Sequence, residues 1–337
     1  MSGVDKKRVA PDEDGMRLDR WFAAHYPGLP HVRLQKLLRT GQVRVDGGRA
    51  KANTRIENGQ EIRVPPLPAD SDAARQPFPR ETLSARDIAF VQSLVIHRDD
   101  DILALNKPPG LAVQGGSSTT EHLDRLLEGL KFDAPERPRL VHRLDKDTSG
   151  VLLLARSREV AAKLGRSLKH RSARKLYWAL VIGVPKIAQG EIKLPLVKKG
   201  ARGGDERVVP AEPDEDEAKL AVTRYVVLER AGTRLSWVAM TPITGRTHQL
   251  RAHAAAMGHP IVGDGKYGGA DAHPGGEIAR KLHLHARRLV IPHPRGGTFD
   301  ISAPLPAHMQ KAWSLFGFDR DDERDPFAKD APNPSKE

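Results

Sequence analysis

Two carboxylates two residues apart, Asp145 and Asp147, lie in a polar segment, 142–150, that precedes an apolar run at 151–155. A carboxylate held ionised by a cation can act as a nucleophile or as a general base. Since the apolar run predicts a buried strand, the turn before it should be partly buried, where a carboxylate needs a partner or a function. A turn capped by aspartate with surface ion pairs is the alternative. The residues alone do not separate the two aspartates.

A second polar segment, 241–268, could supply the cations. In the helix predicted there, Arg246 and His253 are seven residues apart on one face, and His248 and Arg251 are three apart on another. Arginine side chains suit a carboxylate or a phosphate. The histidines invite a metal-site interpretation, but zinc ligands come as close pairs with acidic or thiolate companions, and the interleaved arginines disfavour a cation. The sequence therefore predicts no metal.

A third candidate group is Lys175 with Tyr177, in the strand-like run "KLYWAL". Alternate residues of a strand lie on the same face, so these two side chains should lie side by side. An aromatic ring beside a cation can serve as a platform for a base or a ribose. A core or edge aromatic is the alternative.

The charge of the chain is strongly basic, with a net +12 over 337 residues. Half of the excess lies in 16–66, which has ten Lys/Arg and four Asp/Glu. A basic stripe on one predicted helix of this segment indicates phosphate contact, with a solvated surface as the alternative. The candidate RNA-binding residues are Arg17, Arg33, Lys36, Arg39 and Arg44.

The composition excludes several classes of protein. There is no cysteine, which excludes disulfides, thiolate nucleophiles and cysteine-based zinc sites. No run approaches the roughly 18 apolar residues that a membrane span needs, and the N-terminus lacks the apolar core of a secretory signal. A cytoplasmic protein without a membrane partner is expected.

The elements that position these groups divide the chain into five parts. We predict a disordered N-terminus at 1–15, a small module of two helices and short strands at 16–66, a linker at 67–90, a catalytic domain at 91–318 and a disordered tail at 319–337. The fold class predicted for the catalytic domain is α+β, because many strands with few helices between them indicate a mixed, largely antiparallel sheet.

Within the catalytic domain, the segments 221–230 and 233–243 predict a hairpin, and a helix is expected from Gly245. The segment 197–219 is rich in charge, glycine and proline, and predicts a long loop that ends in an acidic cluster, Asp214 to Glu217.

Two resemblances follow from these motifs. The segments "RLDRWF", "RLQKLLRTGQVRVDG" and "GQEIRVPP" resemble the S4 RNA-binding fold, two helices and a short sheet. The segments "HRLDKDTSG", "KLYWAL" and "TGRTHQLRAH" are similar to the signature segments of the RluA/RluC family of pseudouridine synthases, and most like its large-subunit ribosomal branch. This second similarity extends from about residue 94 to 315.

The family resemblance implies roles that spacing alone does not give. Asp145 would be the catalytic aspartate, and Asp147 would shape the turn. Tyr177 would stack on the target uracil, Arg246 would pair with Asp145, and Leu284 would form an apolar wall. Other substrate-binding residues would be Arg143 and His142, which support the turn or contact RNA.

The resemblance also bears on partners. Uridine is converted to pseudouridine without gain or loss of electrons or groups, so neither a metal nor a nucleotide cofactor is implied. The expected partner is large-subunit (23S-like) ribosomal RNA, and the expected state is a monomer. The alternatives are transfer RNA as substrate, a non-catalytic ribosome-assembly factor, and a glycosidase that uses both aspartates. The last is disfavoured, because carboxylates two residues apart in a turn rarely reach the required separation across a sugar.

Overall fold

A computed structural model of the chain describes residues 4–67, 83–115, 121–169, 172–200, 206–212, 215 and 217–328. The chain divides into two compact units, Met1–Thr82 and Leu83–Glu337.

The first unit packs two helices on a four-stranded antiparallel sheet of order β1-β4-β2-β3. Its helices are α1 (Leu18–His25) and α2 (His31–Arg39), and its strands are β1 (Asp5–Arg8), β2 (Arg44–Val45), β3 (Gly48–Arg49) and β4 (Glu61–Val64). Trp21 and Phe22 of α1 are buried with Leu34 and Leu38 of α2, at the spacing that gives a helix one apolar face. The two predicted helices of this segment are confirmed.

The prediction of a disordered N-terminus at 1–15 is wrong over the residues that the structure describes. Strand β1 pairs with β4, from Asp5 opposite Val64 to Arg8 opposite Glu61, and Val9 is buried in the core. The composition hid this strand because an edge strand held by backbone hydrogen bonds can expose all its side chains. Residues 1–3 lie outside the described part.

The second unit is built on a sheet of eleven strands. They are β5 (Val95–Arg98), β6 (Ile102–Lys107), β7 (Arg139–Leu140), β8 (Ser149–Ala155), β9 (Arg174–Ile182), β10 (Gln189–Gly200), β11 (Glu206–Pro210), β12 (Lys219–Ala231), β13 (Leu235–Pro242), β14 (Leu284–Pro292) and β15 (Thr298–Ser302). The main order is β11-β10-β12-β13-β9-β14-β8-β6-β5, with β15 on β14 and β7 on β8.

The pairing in this sheet is antiparallel except between β8 and β14, which run parallel. The α+β prediction of a mixed, largely antiparallel sheet is therefore confirmed, and so is the β12–β13 hairpin. The helices of this unit are α3 (Ala85–Ser93), α4 (Leu123–Leu126), α5 (Arg158–Lys169), α6 (Gln249–Ala256) and α7 (Ala307–Phe316).

Two predicted irregular segments are ordered elements where the structure describes them. Helix α3 begins inside the predicted linker 67–90, with the Ser84 hydroxyl accepting a hydrogen bond from the Asp87 backbone N–H at its N-terminus. Within the predicted loop 197–219, the end of β10 pairs antiparallel with β11, and the polar composition of the segment did not reveal this pairing. Residues 68–82 and 201–205, with Asp214 and Asp216 of the acidic cluster, lie outside the described part.

The predicted disordered tail, 319–337, is also ordered as far as it is described. Phe318 and Phe327 are buried against a cluster of three tryptophans, Trp178, Trp237 and Trp313. Two apolar anchors nine residues apart are enough to hold a charged segment against the core. Residues 329–337 lie outside the described part.

In the described part of the chain, no helix has the length and apolar character required to cross a bilayer.

Candidate active site

A cleft of about 890 Å³ opens in the second unit. Its lining comes from the turn before β8, the C-terminal half of α5, the start of β9, and the segment from the end of β13 into α6. Of the sequence-predicted site residues, His142, Arg143, Asp145, Tyr177, Arg246 and Leu284 all line it. Segments far apart in sequence therefore meet at one place.

The turn that carries Asp145 is tied to the loop after β6 by a buried lysine. The Lys107 ammonium donates to the carbonyl oxygens of Pro108, Leu111 and Lys146 at 2.9, 2.8 and 2.9 Å. An ammonium has three donors, so these three acceptors satisfy it. Burial lowers the pKa of Lys107 to about 7, while the charges of Asp147 and Asp145 oppose that shift.

The same turn is also fixed by the close approach of strands β8 and β14, which begins directly after it. Gly150 of β8 pairs with Ala286 of β14 and has φ of 110°, a conformation that favours glycine. A Cβ at this position would lie 2.2 Å from the Ala286 carbonyl oxygen. Beside it, the Ser149 hydroxyl lies 2.9 Å from His285 Nδ1, and His285 Nε2 lies 3.1 Å from the Ala303 carbonyl oxygen.

The two aspartates of the turn differ in position. Asp145 lines the cleft with its side chain 21% exposed, whereas Asp147 is exposed and lies outside the lining. Among the described residues that line the cleft, Asp145 is the one acidic side chain.

His142 supports the turn from the strand side. Its Nε2 accepts a hydrogen bond of 2.9 Å from the Leu153 backbone N–H, and burial lowers its pKa to about 3, with the charge of Lys175 acting in the same direction. Two roles were predicted for His142, support of the turn and contact with RNA. A neutral ring that accepts a hydrogen bond from the backbone of β8 fits the first. Arg143 is exposed at the cleft.

Tyr177 and Leu284 bring two central strands to the cleft. Tyr177 of β9 pairs with Ala286 of β14 and with Met240 of β13. Burial raises its pKa, and the charge of Asp145 raises it further, so the phenol stays protonated beside the carboxylate. Leu284 is 3% exposed and adds an apolar surface.

The predicted ion pair between Arg246 and Asp145 is not formed. Arg246 is exposed, and its Nε donates to the Leu220 carbonyl oxygen at 3.3 Å. The nearest basic group is His248, whose Nε2 lies 3.8 Å from Asp145 Oδ2. His248 takes the left-handed conformation, with φ of 51°, immediately before α6, and this places Arg246 and His248 differently from residues of a continuous helix.

A hydrogen-bonded connection runs from His248 to strand β11. His248 Nδ1 lies 2.9 Å from the Tyr267 hydroxyl, which accepts from the Val208 backbone N–H at 3.1 Å. If the hydroxyl proton is donated to Nδ1, neutral His248 carries its proton on Nε2, the atom that faces Asp145. Burial lowers the pKa of His248, and the charge of Asp145 opposes that shift.

Arg251 is the buried guanidinium of the site. Its Nε and Nη2 donate to the two carboxylate oxygens of Asp264, each at 2.8 Å, and its charge lies 5.0 Å from the centre of the Tyr267 ring. Although burial works against the charged form, the Asp264 hydrogen bonds raise the pKa of Arg251, and the charge of Asp145 raises it further. A permanent cation thus acts on the Asp145 carboxylate.

The sequence motifs assigned no individual role to Lys107, Arg251 or Tyr267. A signal for Lys107 was present, a lysine at the end of an apolar strand before two prolines. The roles of Arg251 and Tyr267 depend on contacts between distant segments.

The candidate RNA-binding residues all lie in the first unit. Arg33, Lys36 and Arg39 are exposed on α2, and Arg17 is exposed beside Asp19, with which it pairs. Arg44 is exposed but donates to the backbone carbonyls of Gly41 and Gly47. Arg17 and Arg39 line a groove of about 590 Å³ together with Arg49 and Lys51.

Comparison with known proteins gives consistent matches. Residues 101–256 match the family described as RNA pseudouridylate synthase. The chain is 35% identical over 310 residues to "Ribosomal large subunit pseudouridine synthase C" of Salmonella typhi, covering 90% of this chain and 93% of that protein. It is 34% identical over 393 residues to "RNA pseudouridine synthase 4, mitochondrial" of Arabidopsis thaliana, covering 94% and 82%.

A solved structure is also similar. "Human RNA Pseudouridylate Synthase Domain Containing 4" is 28% identical, with a TM-score of 0.58, over 69% of this chain and 97% of that one.

Proposed function

The chain belongs to the RNA pseudouridylate synthase family, and from that premise we propose that it isomerises uridines of large-subunit ribosomal RNA with Asp145 as the catalytic carboxylate. The observation that carries the assignment of Asp145 is its position as the one acidic side chain among the described residues lining the cleft. Asp147, exposed and outside the lining, is assigned to the turn.

The reaction breaks the bond between C1′ and N1 of uridine, rotates the base and joins its C5 to C1′. C5 then loses its proton and N1 takes one up, so the product is an isomer of uridine. One ionised carboxylate beside the ribose is required, either to attack C1′ or to remove the C2′ proton. Despite burial, the hydrogen bonds of Asp264 and the charge of Asp145 raise the pKa of the Arg251 guanidinium, which supplies a permanent positive charge near that carboxylate.

The target uridine must leave its stack to reach a carboxylate inside a cleft. Extruding a base costs a few kcal/mol, and stacking on an aromatic ring with apolar contacts offsets that cost. Tyr177 offers the ring and Leu284 the apolar contact, while the exposed Arg143 and Arg246 are available to the RNA at the cleft.

Replacing Asp145 by asparagine, with Asp147→Asn as the matched control, tests this assignment. We expect Asp145→Asn to abolish pseudouridine formation in large-subunit ribosomal RNA and Asp147→Asn to retain it. Pseudouridine mapping in cells that lack the protein, complemented with each variant, measures both. Modification by Asp145→Asn at the wild-type level would overturn the assignment, and pseudouridine lost from transfer RNA instead would change the substrate.

For the first unit we propose an S4-like RNA-binding domain, joined to the catalytic domain of a monomeric, cytoplasmic enzyme. Two observations support it: the two-helix and short-sheet architecture, and the exposed cations of α2 beside a groove that also holds Arg49 and Lys51. Exposed cations with few neighbouring acids favour a polyanion.

Deleting residues 1–66 tests this domain. We expect weaker binding to ribosomal RNA and a shallower dependence of log Kd on log salt concentration, since each lost phosphate contact lowers that slope by about 0.9 for a duplex. Filter binding over a salt series measures the slope, and thermal unfolding of the remaining unit is the control. Equal slopes with and without residues 1–66 would contradict the proposal.

A further inference from the structure

One part of the cleft lining has no role in the proposed reaction. It is built from the C-terminal half of α5 and the start of β9, and its members are Gly165, Leu168, Lys169, Ala173, Arg174 and Lys175. Within the described lining this part carries basic side chains and no carboxylate. Its chemistry therefore suits an anion.

Lys175 lies on the same face of β9 as Tyr177, because the two residues alternate along one strand. Two residues of a strand span roughly 7 Å. That is within the reach of one nucleotide from its base to its backbone phosphate. An ammonium placed there can reach the phosphate of a nucleotide whose base lies on the Tyr177 ring.

Lys175 also lacks a counter-ion among the described residues. Two other cations of these elements are paired: Arg174 Nε lies 2.7 Å from Asp325 Oδ2, and Lys163 Nζ lies 2.8 Å from Glu159 Oε1. Lys175 is half-buried, and burial lowers its pKa. A partly desolvated cation without a partner is costly, and an anionic ligand recovers part of that cost.

We propose that Lys175, together with the exposed Lys169 of α5, binds the RNA phosphate of the nucleotide whose base stacks on Tyr177. This inference rests on the proposed function, since it assumes that the cleft holds a flipped nucleotide. It adds a site that fixes the ribose relative to Asp145 by holding the base at one end and the phosphate at the other.

The first test uses binding alone. In an Asp145→Asn background, the probe is a short oligocytidine RNA with a single uridine, and log Kd is measured against log salt concentration. We expect Lys175→Met to weaken binding and lower the slope by about 0.7, the value for one phosphate of a single strand. Lys175→Arg should keep the slope, and so should Lys163→Met, the matched control on α5.

The second test removes the charge from the RNA. A neutral methylphosphonate is placed in turn at the phosphate on each side of the uridine. At one of these two positions we expect it to weaken binding to the Lys175 protein but to leave binding to the Lys175→Met protein unchanged. An equal penalty in both proteins, or no penalty at either position, would overturn the proposal.

Thermal unfolding separates phosphate binding from a structural role. Removal of an unpaired, half-buried cation should leave Tm unchanged or raise it, so Lys175→Met should bind RNA less tightly while unfolding no earlier. A lower Tm for both Lys175→Met and Lys175→Gln, with the salt slope unchanged, would assign Lys175 a structural role. Because all binding is measured without turnover, failure of the Asp145 assignment leaves this result interpretable.

Discussion

At the scale of single residues, Tyr267 connects strand β11 to the neighbourhood of Asp145, the proposed catalytic carboxylate. One hydroxyl serves both His248 and the Val208 backbone, and the guanidinium groups of Arg251 and Arg207 lie 5.0 and 5.4 Å from the ring centre. Tyr267 thereby orients His248, which in turn faces Asp145. It is a positioning residue that need not touch the substrate.

We expect Tyr267→Phe to lower kcat by roughly fivefold while KM for RNA stays the same, because one hydrogen bond is worth about 1 kcal/mol. Steady-state kinetics on ribosomal RNA measures kcat and KM separately. Tyr225→Phe is the control, since the Tyr225 hydroxyl donates to the Ile187 carbonyl oxygen and Tyr225 lies outside the cleft lining. A change in KM alone would show that Tyr267 acts on binding.

Residues inside dense motifs were the ones that the sequence singled out. His142, Asp145 and Tyr177 were each named as candidate site residues, and all three line one cleft, while their roles stay predictions. The expected pair between Arg246 and Asp145 is not formed in this structure: Arg246 donates to the Leu220 carbonyl oxygen, and the left-handed residue His248 precedes α6, a local conformation that residue spacing does not predict.

At the scale of elements, the parallel pair β8–β14 supports the site. Its register places Gly150 against Ala286, directly after the turn that carries Asp145. The approach is so close that a side chain on Gly150 has no room. The position of the turn that carries Asp145 therefore depends on the absence of a side chain at Gly150.

We expect Gly150→Ala to lower both stability and activity, since the new Cβ must displace β14 and the backbone conformation is strained. Gly232→Ala is the control for strain alone: Gly232 has φ of 61°, but a Cβ there meets nothing within 4 Å. Denaturant unfolding should show a loss of about 1 kcal/mol for the control and a larger loss for Gly150→Ala. Equal losses would contradict the close-approach argument.

Strands with an alternating apolar pattern were predictable from the sequence, whereas strands without that pattern were not. The hairpin β12–β13 carries a clear pattern and was predicted, whereas β1 is a polar strand whose partner β4 lies far along the chain, and β11 is a short strand inside a charged segment. A strand is recognised in a sequence by the apolar side chains that it buries. A polar strand at the edge of a sheet buries few side chains, so its sequence gives little signal.

At the scale of the whole molecule, buried histidines couple stability to pH. Burial lowers the pKa of His285 to about 3 and the pKa values of His253 and His283 to about 4, from an ordinary 6.5. These rings are neutral when the protein is folded. Unfolding lets them take up protons at any pH below 6.5, so acid favours the unfolded chain.

We expect the free energy of unfolding to fall as the pH drops from 6.5 to 4, by up to about 1.4 kcal/mol per pH unit for each such histidine. Denaturant unfolding at each pH measures the slope. His283→Gln should remove one such contribution, while Lys186→Gln, on an exposed lysine without an ion pair among the described residues, should leave the slope unchanged. Stability that stays constant from pH 6.5 to 4 would contradict this account.

The C-terminal segment determines when the cleft can be completed during protein synthesis. Asp325 pairs with Arg174 at the start of β9, and Phe327 lines the cleft itself. The first unit, by contrast, completes its core with residues no later than Leu67. Since domains fold during synthesis from the N-terminal end, that unit can fold while the second is still being translated. A nascent chain therefore cannot complete the cleft until Phe327 has left the ribosome.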